Sequence, residues 1–264
     1  MIWCNGELYD QGPIPLDPAD RGLLLGDGVF ETIAVFHGRP FRLVQHLEAL
    51  EDAAAALGFA LPRATVERAV ADLVAGLAGG HGALRITVTR GAGPRGLAPP
   101  AEPAPVVLAT TAPWSEAMAF QPIRLATVSI RRNPTSPLSR IKSLAYLDNV
   151  LAFQAARAAG ADDALMLNTE GRVASTSMAN LFLLRDGRLL TPPVEDGVRP
   201  GIMRELLLAC GAVEASLMPE DLAAGAVFAT NSLRLLQPVT AIDGRASAPV
   251  PAEVIARLRA ACGL

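Results

Sequence analysis

Lys142 is the only lysine among the 264 residues, whereas the chain contains twenty-two arginines. Arginine stays protonated and cannot form an imine, but a desolvated lysine can lose its proton and attack a carbonyl group. The single side-chain amine is therefore a candidate for Schiff-base chemistry with an aldehyde. On the count alone, an arginine-biased composition with one chance lysine is the better explanation. Whether Lys142 is catalytic therefore depends on the sequence around it.

A glycine-rich stretch at residues 91–96 matches the GxGxxG pattern and follows a predicted strand. In dinucleotide-binding proteins these glycines lead into a helix whose N-terminus holds the pyrophosphate. Four prolines between positions 94 and 103 forbid that helix here, so a dinucleotide site is rejected. The sequence has no GxSxG, HExxH or Walker motif, and its three histidines are isolated, which indicates structural roles for them.

The secondary structure predicted for the N-terminal part of the chain begins with strands. Residues 5–6 (Asn-Gly) indicate a hairpin turn, and the run at 29–35 followed by His-Gly predicts a second hairpin. Leucines and valines recur at helical spacing over 43–57 and 66–77, which predicts two amphipathic helices. Alternation of apolar and polar residues over 84–89 then predicts a half-buried strand.

A proline-rich region separates this part of the chain from the rest. Six prolines lie between positions 94 and 113, counting both ends, and the next clear strand is predicted at 123–130. The domain boundary is therefore expected near 113–122, which gives a smaller N-terminal α+β domain at 1–117. A larger C-terminal domain at 118–264 is expected to carry Lys142.

The second half of the chain mixes strands and helices. A helix is predicted from Lys142 to residue 159, closed by Gly160. Other predicted elements are strands at 164–167, 179–184, 189–190 and 227–230, a helix after residue 201 and a final helix at 252–261. The elements are grouped rather than strictly alternating, which favours a two-domain α+β fold over a doubly wound parallel sheet.

Composition limits the class of protein and its partners. Hydrophobic residues make up 51% of the chain and the mean hydropathy is +0.32, which is ample for a folded core. Cys4, Cys210 and Cys262 are widely spaced, so neither a disulfide framework nor a zinc site is indicated. A net charge of −3 without basic runs argues against nucleic-acid binding. Without a membrane-spanning run or a signal sequence, a cytoplasmic location is expected.

Five short stretches, taken in order, carry a family pattern. They are residues 20–22 with 26–32, 89–91, 141–147, 171–173 with 179–182, and 200–204. Together they resemble the class IV aminotransferases, the fold-type IV enzymes that use pyridoxal 5'-phosphate (PLP). That family includes branched-chain and D-amino-acid aminotransferases and 4-amino-4-deoxychorismate lyase. The likeness spans nearly the whole chain and implies the two-domain fold of D-amino-acid aminotransferase.

The resemblance assigns cofactor roles to named residues. The family lysine that binds PLP covalently matches Lys142, and its amine, once freed by substrate, is expected to move the Cα proton. Tyr146 lies one predicted helical turn further on, where it either reaches the phenolic oxygen of the cofactor or packs in the pocket wall.

A phosphate site is expected where a helix begins after residue 201. The backbone amides of Ile202 and Met203 open that helix, where unpaired N–H groups and the helix dipole favour a phosphate. Asn231 and Ser232 resemble the second phosphate-binding turn of the family. Ordinary loop chemistry of glycine and serine is the alternative explanation for both turns.

Two arginines are candidates for binding the substrate. Arg90 resembles the arginine that receives a substrate carboxylate in the D-amino-acid and lyase branches, a task suited to a bidentate guanidinium group. Arg95 is expected to assist it, although a solvated arginine at a strand end explains Arg95 equally well. The resemblance also implies a homodimer that acts on a small amino-acid-like molecule.

The chain departs from the family pattern at two positions, both near the cofactor. Ser175 stands where the family has a glutamate that pairs with the protonated pyridine nitrogen. A neutral ring is a weaker electron sink, which handicaps transamination more than an elimination whose leaving group takes up the electrons. Ala49 stands where the family usually has an arginine that binds the phosphate. Arg42, Arg140 and Arg204 are the candidates to replace it.

Three functions remain open at this point. The first hypothesis is a lyase resembling 4-amino-4-deoxychorismate lyase, which releases pyruvate and forms 4-aminobenzoate on the folate route. The second keeps the fold and cofactor but transaminates a branched-chain or D-amino acid. The third, motivated by Ala49 and Ser175, is a degenerate family member without PLP chemistry.

Overall fold

The computed structural model describes residues 1–10 and 12–264 of this α+β protein. The chain folds as two compact units. Unit 1 comprises Met1–Ser115 and Ile141–Tyr146, and unit 2 comprises Glu116–Arg140 and Leu147–Leu264. The expectation that the second domain carries Lys142 is therefore wrong, because residues 141–146 return to unit 1.

The described residues of unit 1 form a six-stranded antiparallel sheet and three helices. The strands are β1 (Ile2–Cys4), β2 (Glu7–Tyr9), β3 (Gly28–Phe36), β4 (Arg39–Pro40), β5 (Gly82–Thr89) and β6 (Val106–Ala112), and the helices are α1 (Arg21–Leu25), α2 (Leu43–Ala56) and α3 (Arg63–Ala75). Their order in the sheet is β2-β1-β6-β5-β3-β4. Both predicted hairpins are present, and the first turns on Asn5 at φ 46° and Gly6 at φ 102°.

The core of unit 1 lies between its sheet and the two long helices. The apolar stripes predicted on α2 and α3 are buried against inward-facing residues of β3 and β5. The members include Leu47, Leu50, Val66, Val70, Leu73, Ile33, Leu84 and Ile86. Each fully buried aliphatic side chain stabilises the fold by about 1.5–3 kcal/mol relative to an exposed one, so these stripes hold the helices on the sheet.

Unit 2 contains nine strands and three α-helices. The strands are β7 (Ile123–Thr127), β8 (Asp163–Leu167), β9 (Val173–Thr176), β10 (Asn180–Arg185), β11 (Arg188–Thr191), β12 (Val213–Glu214), β13 (Ala226–Asn231), β14 (Leu235–Ile242) and β15 (Arg245–Ala246). The helices are α4 (Leu147–Ala158), α5 (Ile202–Ala209) and α6 (Ala252–Cys262), and short 3₁₀ turns lie at Glu116–Met118, Pro137–Ser139, Val194–Asp196 and Pro219–Ala224.

The sheet of unit 2 runs in the order β12-β11-β10-β13-β14-β7-β8-β9, and β15 pairs with β14. An additional pairing of β9 with β10 closes six of these strands into a ring. On one side, Ala152 and Ala156 of α4 are fully buried with Ala164 and Met166 of β8, because small side chains let the helix approach closely. None of the described helices is both long and apolar enough to cross a membrane.

Candidate active site

The segment that carries Lys142 is extended, so the helix predicted from this residue is wrong in its first five positions. The β3 strand pairs with β4 only at Val35 and Phe36, which leaves the start of β3 open on that side. The segment fills this edge: Phe30 N–H donates to the Lys142 carbonyl (2.9 Å) and Leu144 N–H donates to the Gly28 carbonyl (2.8 Å). These two bonds fix the backbone on both sides of Ser143, and α4 begins only at Leu147.

Aromatic rings surround the Lys142 amine. Its Nζ lies 4.4 Å from the centre of the Phe30 ring and 5.2 Å from the centre of the Tyr146 ring. The two rings meet edge to face with centroids 5.2 Å apart. Cation–π attraction and ring packing therefore hold the amine at a defined place. Tyr146 lies beside Lys142 as expected, but through an extended segment rather than through helical spacing.

Arg85 also lies beside Phe30, although the sequence did not predict it as a site residue. Its guanidinium carbon lies 3.9 Å from the centre of the Phe30 ring, and among the described residues it has no ion pair or hydrogen bond. Burial of part of the side chain lowers the pKa of the guanidinium, and Tyr146 partly offsets this effect. The sequence did indicate that Arg85 faces away from the core, because apolar and polar residues alternate along β5 and Arg85 is the exposed residue between buried Leu84 and Ile86.

Arg90 occupies a different environment from the one expected. Its Nε donates to the Asp27 carboxylate (2.8 Å), and its Nη atoms donate to the carbonyls of Leu57 and Gly58. The side chain is 6% exposed. These contacts give Arg90 a structural role at the end of α2, and a contact with substrate stays a prediction.

Arg95 lies in the loop after β5 and is exposed. Among the described residues its guanidinium has no ion pair or hydrogen bond, which leaves it available to an anion. The guanidinium N–H groups of Arg85 and Arg95 therefore make no hydrogen bond to a described residue, whereas those of Arg90 are already bonded to Asp27 and two carbonyls.

A polar row crosses the sheet of unit 2. Ser175 of β9 lies directly opposite Asn180 of β10, and Asn180 lies directly opposite Thr230 of β13. Directly paired residues point to the same face of a sheet, and neighbouring strands lie about 4.8 Å apart, so the row extends over roughly 10 Å. The Ser175 hydroxyl donates to the Thr176 carbonyl (2.8 Å), which leaves its oxygen lone pairs as acceptors.

The N-terminus of α5 lies against this row. Asn180 Nδ2 donates to the Arg199 carbonyl (2.9 Å), and a Cβ atom built on Gly201 would lie 2.2 Å from Asn180 Oδ1. Only glycine allows this approach. Among the described residues no side chain caps the helix at Gly201, so the first-turn amides of Ile202 and Met203 keep the donors that suit an anion.

Thr230, at the other end of the row, has a buried hydroxyl without a partner. The residue is 1% exposed, and within the described chain its Oγ1 makes no hydrogen bond. Such a group costs free energy unless a bound molecule pairs with it. In the turn that follows, Asn231 Oδ1 accepts from the amides of Leu233 (3.0 Å) and Arg234 (2.7 Å). The Asn231 side chain therefore shapes the turn that presents Ser232, and a contact with the cofactor stays a prediction for both.

The arginines proposed to replace the one missing at Ala49 differ in their surroundings. Arg204 is buried and donates to the Pro192 carbonyl and the Glu214 carboxylate, so its Nη2 already binds acceptors within unit 2. Arg42 precedes α2 at a left-handed φ of 52°, and its buried Nε has no partner among the described residues. It lies seven residues before Ala49, about two helical turns along the same face.

Comparison with known proteins identifies the family of this chain. The sequence model of the family described as amino-transferase class IV matches residues 28–242. A Methanocaldococcus jannaschii protein provisionally named as a branched-chain-amino-acid aminotransferase is 35% identical over 256 residues, covering 92% of this chain and 88% of that protein. The structure of 4-amino-4-deoxychorismate lyase from Pseudomonas aeruginosa is 32% identical with a TM-score of 0.85, covering 98% of each chain. The branched-chain aminotransferase from Thermoproteus uzoniensis is 28% identical with a TM-score of 0.90, covering 98% of this chain and 93% of the other. The chain therefore belongs to the class IV amino-transferase family of PLP-dependent enzymes.

Proposed function

We propose that this protein is a PLP-dependent lyase that eliminates pyruvate from a substrate resembling 4-amino-4-deoxychorismate. When bound, PLP supplies an electrophilic carbonyl for amines and a ring that withdraws electrons from the substrate. The residues of unit 2 fit its phosphate, because the start of α5 offers N–H donors and the Thr230 hydroxyl has no partner among the residues that the structure describes. The roughly 10 Å row from Ser175 to Thr230 suits a flat molecule with a ring at one end and a phosphate at the other.

Lys142 binds the cofactor through its amine in this proposal. Phe30 and Tyr146 hold the amine in place, so that it stays close to the substrate after substrate displaces it. The freed amine then takes the proton from the carbon that bears the substrate amino group. Because it is the only lysine of the chain, no other side-chain amine can take over this step.

Arg85 and Arg95 bind the carboxylates of the substrate in this proposal. Both guanidinium groups lack an anionic partner among the described residues, and a planar guanidinium binds a carboxylate through two parallel hydrogen bonds. Arg85 and the Lys142 amine both contact the Phe30 ring, so a carboxylate bound by Arg85 lies in the same region of unit 1 as that amine. Arg90 is retained as a weaker candidate because its donors already bind Asp27 and two carbonyls.

Ser175 is the observation that carries the choice of elimination. A hydroxyl, unlike a carboxylate, does not stabilise a protonated pyridine nitrogen, so the ring stays a weaker electron sink. Transamination needs the electrons to remain on the ring until a proton returns to the cofactor. In an elimination the leaving group removes them, and the weaker sink matters less. The similarity to the Pseudomonas aeruginosa lyase supports this choice.

A transaminase acting on a branched-chain or D-amino acid is the second candidate. It is favoured by the 35% identity to the Methanocaldococcus jannaschii protein and by the 30% identity to D-alanine aminotransferase of Bacillus licheniformis. A product assay separates the two candidates. Pyruvate released from 4-amino-4-deoxychorismate without a keto-acid acceptor supports the lyase. Turnover of amino acids that strictly requires an acceptor supports the transaminase. Protein that retains no visible absorption after saturation with PLP and removal of the unbound PLP supports the degenerate member.

We also propose that the protein acts as a homodimer. Helix α1 exposes three consecutive leucines, Leu23, Leu24 and Leu25, each at least 45% exposed, and such apolar surface suits a protein interface. Light scattering during size-exclusion chromatography tests this. Replacing Leu24 by Glu is expected to shift a dimer to a monomer, and a monomeric wild type contradicts the proposal.

A further inference from the structure

The loop that carries Arg95 has little regular structure of its own. We call residues 91–100 the Arg95 loop. Its first residues bond to the start of α1 and to the residue before its N-cap: Arg21 N–H donates to the Gly91 carbonyl (2.9 Å) and Gly93 N–H donates to the Ala19 carbonyl (3.2 Å). After Gly93 the prolines leave few backbone donors. Another group has to hold the distal part of the loop.

The Arg21 side chain supplies this group. Its Nη1 donates to the carbonyls of Ala98 (3.0 Å) and Gly96 (3.4 Å), and its Nη2 donates to the carbonyl of Leu97 (3.1 Å). These three residues immediately follow Arg95. The Arg21 side chain is only 6% exposed, so the bonds are shielded from water.

Asp27 orients Arg21. Its Oδ2 accepts from the Nε of Arg21 and from the Nε of Arg90, both at 2.8 Å. Burial alone would raise the pKa of the Asp27 carboxyl, but hydrogen bonds from Arg90 and Arg21 outweigh this and hold the pKa below its ordinary value. The carboxylate therefore stays charged at neutral pH and keeps the Nη atoms of Arg21 directed at the loop.

Gly93 allows the Arg21 side chain to pass along the loop. A Cβ atom at Gly93 would lie 2.7 Å from Cδ and 3.2 Å from Cγ of Arg21. The backbone of Gly93 is not in the left-handed region, so an alanine here would be resisted by this contact rather than by backbone strain.

We propose that Arg21 is a positioning residue that fixes the Arg95 loop and thereby presents Arg95 to the substrate. The loop part of this inference stands on the contacts above, and the substrate part rests on the proposed function of Arg95. Arginine is required because a planar guanidinium can bind one carboxylate and several carbonyls at once. A lysine ammonium preserves the charge beside Asp27 but cannot span the three carbonyls.

The experiment compares Arg21→Lys and Gly93→Ala with wild type and with Arg63→Lys, a control that alters a half-buried arginine paired with Glu51 and Glu67. The first readout is tryptic cleavage between Arg95 and Gly96 of the native PLP-loaded protein, divided by the rate in urea-unfolded protein. We expect cleavage to accelerate by at least about tenfold in both loop variants, since several hydrogen bonds are lost, and not in the control. PLP affinity, read from visible absorption, should stay unchanged.

The second readout is steady-state kinetics with the substrate found in the product assay. A rise in KM of about tenfold with kcat within about twofold is expected for Arg21→Lys, because binding of the substrate anion is lost while proton transfer by Lys142 is kept. Unchanged cleavage in both loop variants overturns the inference. Faster cleavage with an unchanged KM overturns its substrate part. If wild type turns over no substrate, the proposed function fails, while the cleavage result still decides whether Arg21 fixes the loop.

Discussion

Replacing Thr230 by Val should have opposite effects on the empty and the loaded protein. The Thr230 hydroxyl is buried without a partner in the described chain, and valine has nearly the same shape without the polar group. An unpaired buried polar group costs about 1–3 kcal/mol, so the apo variant should gain on the order of 1 kcal/mol in its free energy of unfolding. Urea denaturation of the PLP-free protein measures this gain.

The PLP-loaded protein should lose affinity instead. A hydrogen bond from a hydroxyl to a charged phosphate contributes about 1.5–3 kcal/mol, which corresponds to roughly a ten- to a hundredfold weaker binding of PLP to Thr230→Val. Titration of the apo-protein with PLP, followed by visible absorption, gives this value. The two effects arise from one hydroxyl, so they should appear together.

Thr191 provides the matched control. It is also fully buried in unit 2, but its Oγ1 donates to the Leu181 carbonyl (2.8 Å). Thr191→Val should therefore destabilise the apo-protein and leave PLP affinity unchanged. An unchanged PLP affinity in Thr230→Val would refute the assignment of this hydroxyl to the phosphate. A destabilised apo Thr230→Val would show that the hydroxyl is paired in the empty protein.

Three further substitutions test separate parts of the proposal. Ala49→Arg should tighten PLP binding by roughly tenfold in the same titration, because it adds a charge-assisted contact at the position where the family has one. Ser175→Glu should raise the ratio of transamination to pyruvate release with an amino acid that bears a β leaving group, measured as pyridoxamine phosphate against pyruvate, because an anion beside the ring nitrogen favours its protonated form. Asp163→Asn should stabilise unit 2 at neutral pH, because burial raises the pKa of this carboxyl and hydrogen bonds from Ser177 and from the Ala164 amide offset this only in part. Because the pKa of Asp163 is higher in the folded than in the unfolded protein, the free energy of unfolding of wild type falls as the pH rises from the unfolded pKa of about 3.9 through the folded pKa. Below about pH 4 the carboxyl is protonated in both states, so wild type and Asp163→Asn should there have similar free energies of unfolding.

Each of these substitutions has an outcome that contradicts its reasoning. An unchanged affinity in Ala49→Arg would mean that Arg42 or another arginine already binds the phosphate. A constant product ratio in folded, PLP-loaded Ser175→Glu would remove the argument for elimination. A stability difference between Asp163→Asn and wild type that does not vary with pH would show that ionisation of this carboxyl does not control the stability of unit 2.

Local sequence patterns predicted the parts of the fold that depend on local interactions. The helical spacing of apolar residues located α2 and α3, and the Asn5-Gly6 turn located the first hairpin. The helix predicted from Lys142 was wrong, because the residues around Lys142 favour a helix locally but pair instead with the open edge of β3. That edge is more than 100 residues away in the sequence. Strand β14 was missed because Pro238 interrupts its pattern.

The candidate site was predictable only where residue type alone limits the chemistry. Lys142 stood out because it is the single lysine, and the start of α5 stood out because glycine precedes an apolar helix. The sequence does not reveal that Asp27 joins Arg21 to Arg90, since Arg90 comes beside Asp27 only after β5 has packed beside β3. For the same reason Arg90 was preferred to Arg85, although only the fold determines which guanidinium is already bound.

Covalent capture of the cofactor tests the central proposal most directly. Protein loaded with PLP is reduced with borohydride, digested and mapped by mass spectrometry. We expect the pyridoxyl group on Lys142, which lies beside Phe30 and Tyr146 and is the only side-chain amine of the chain. A label found only on the N-terminal amine, or no label at saturating PLP, would contradict the proposal that this protein catalyses PLP chemistry through Lys142.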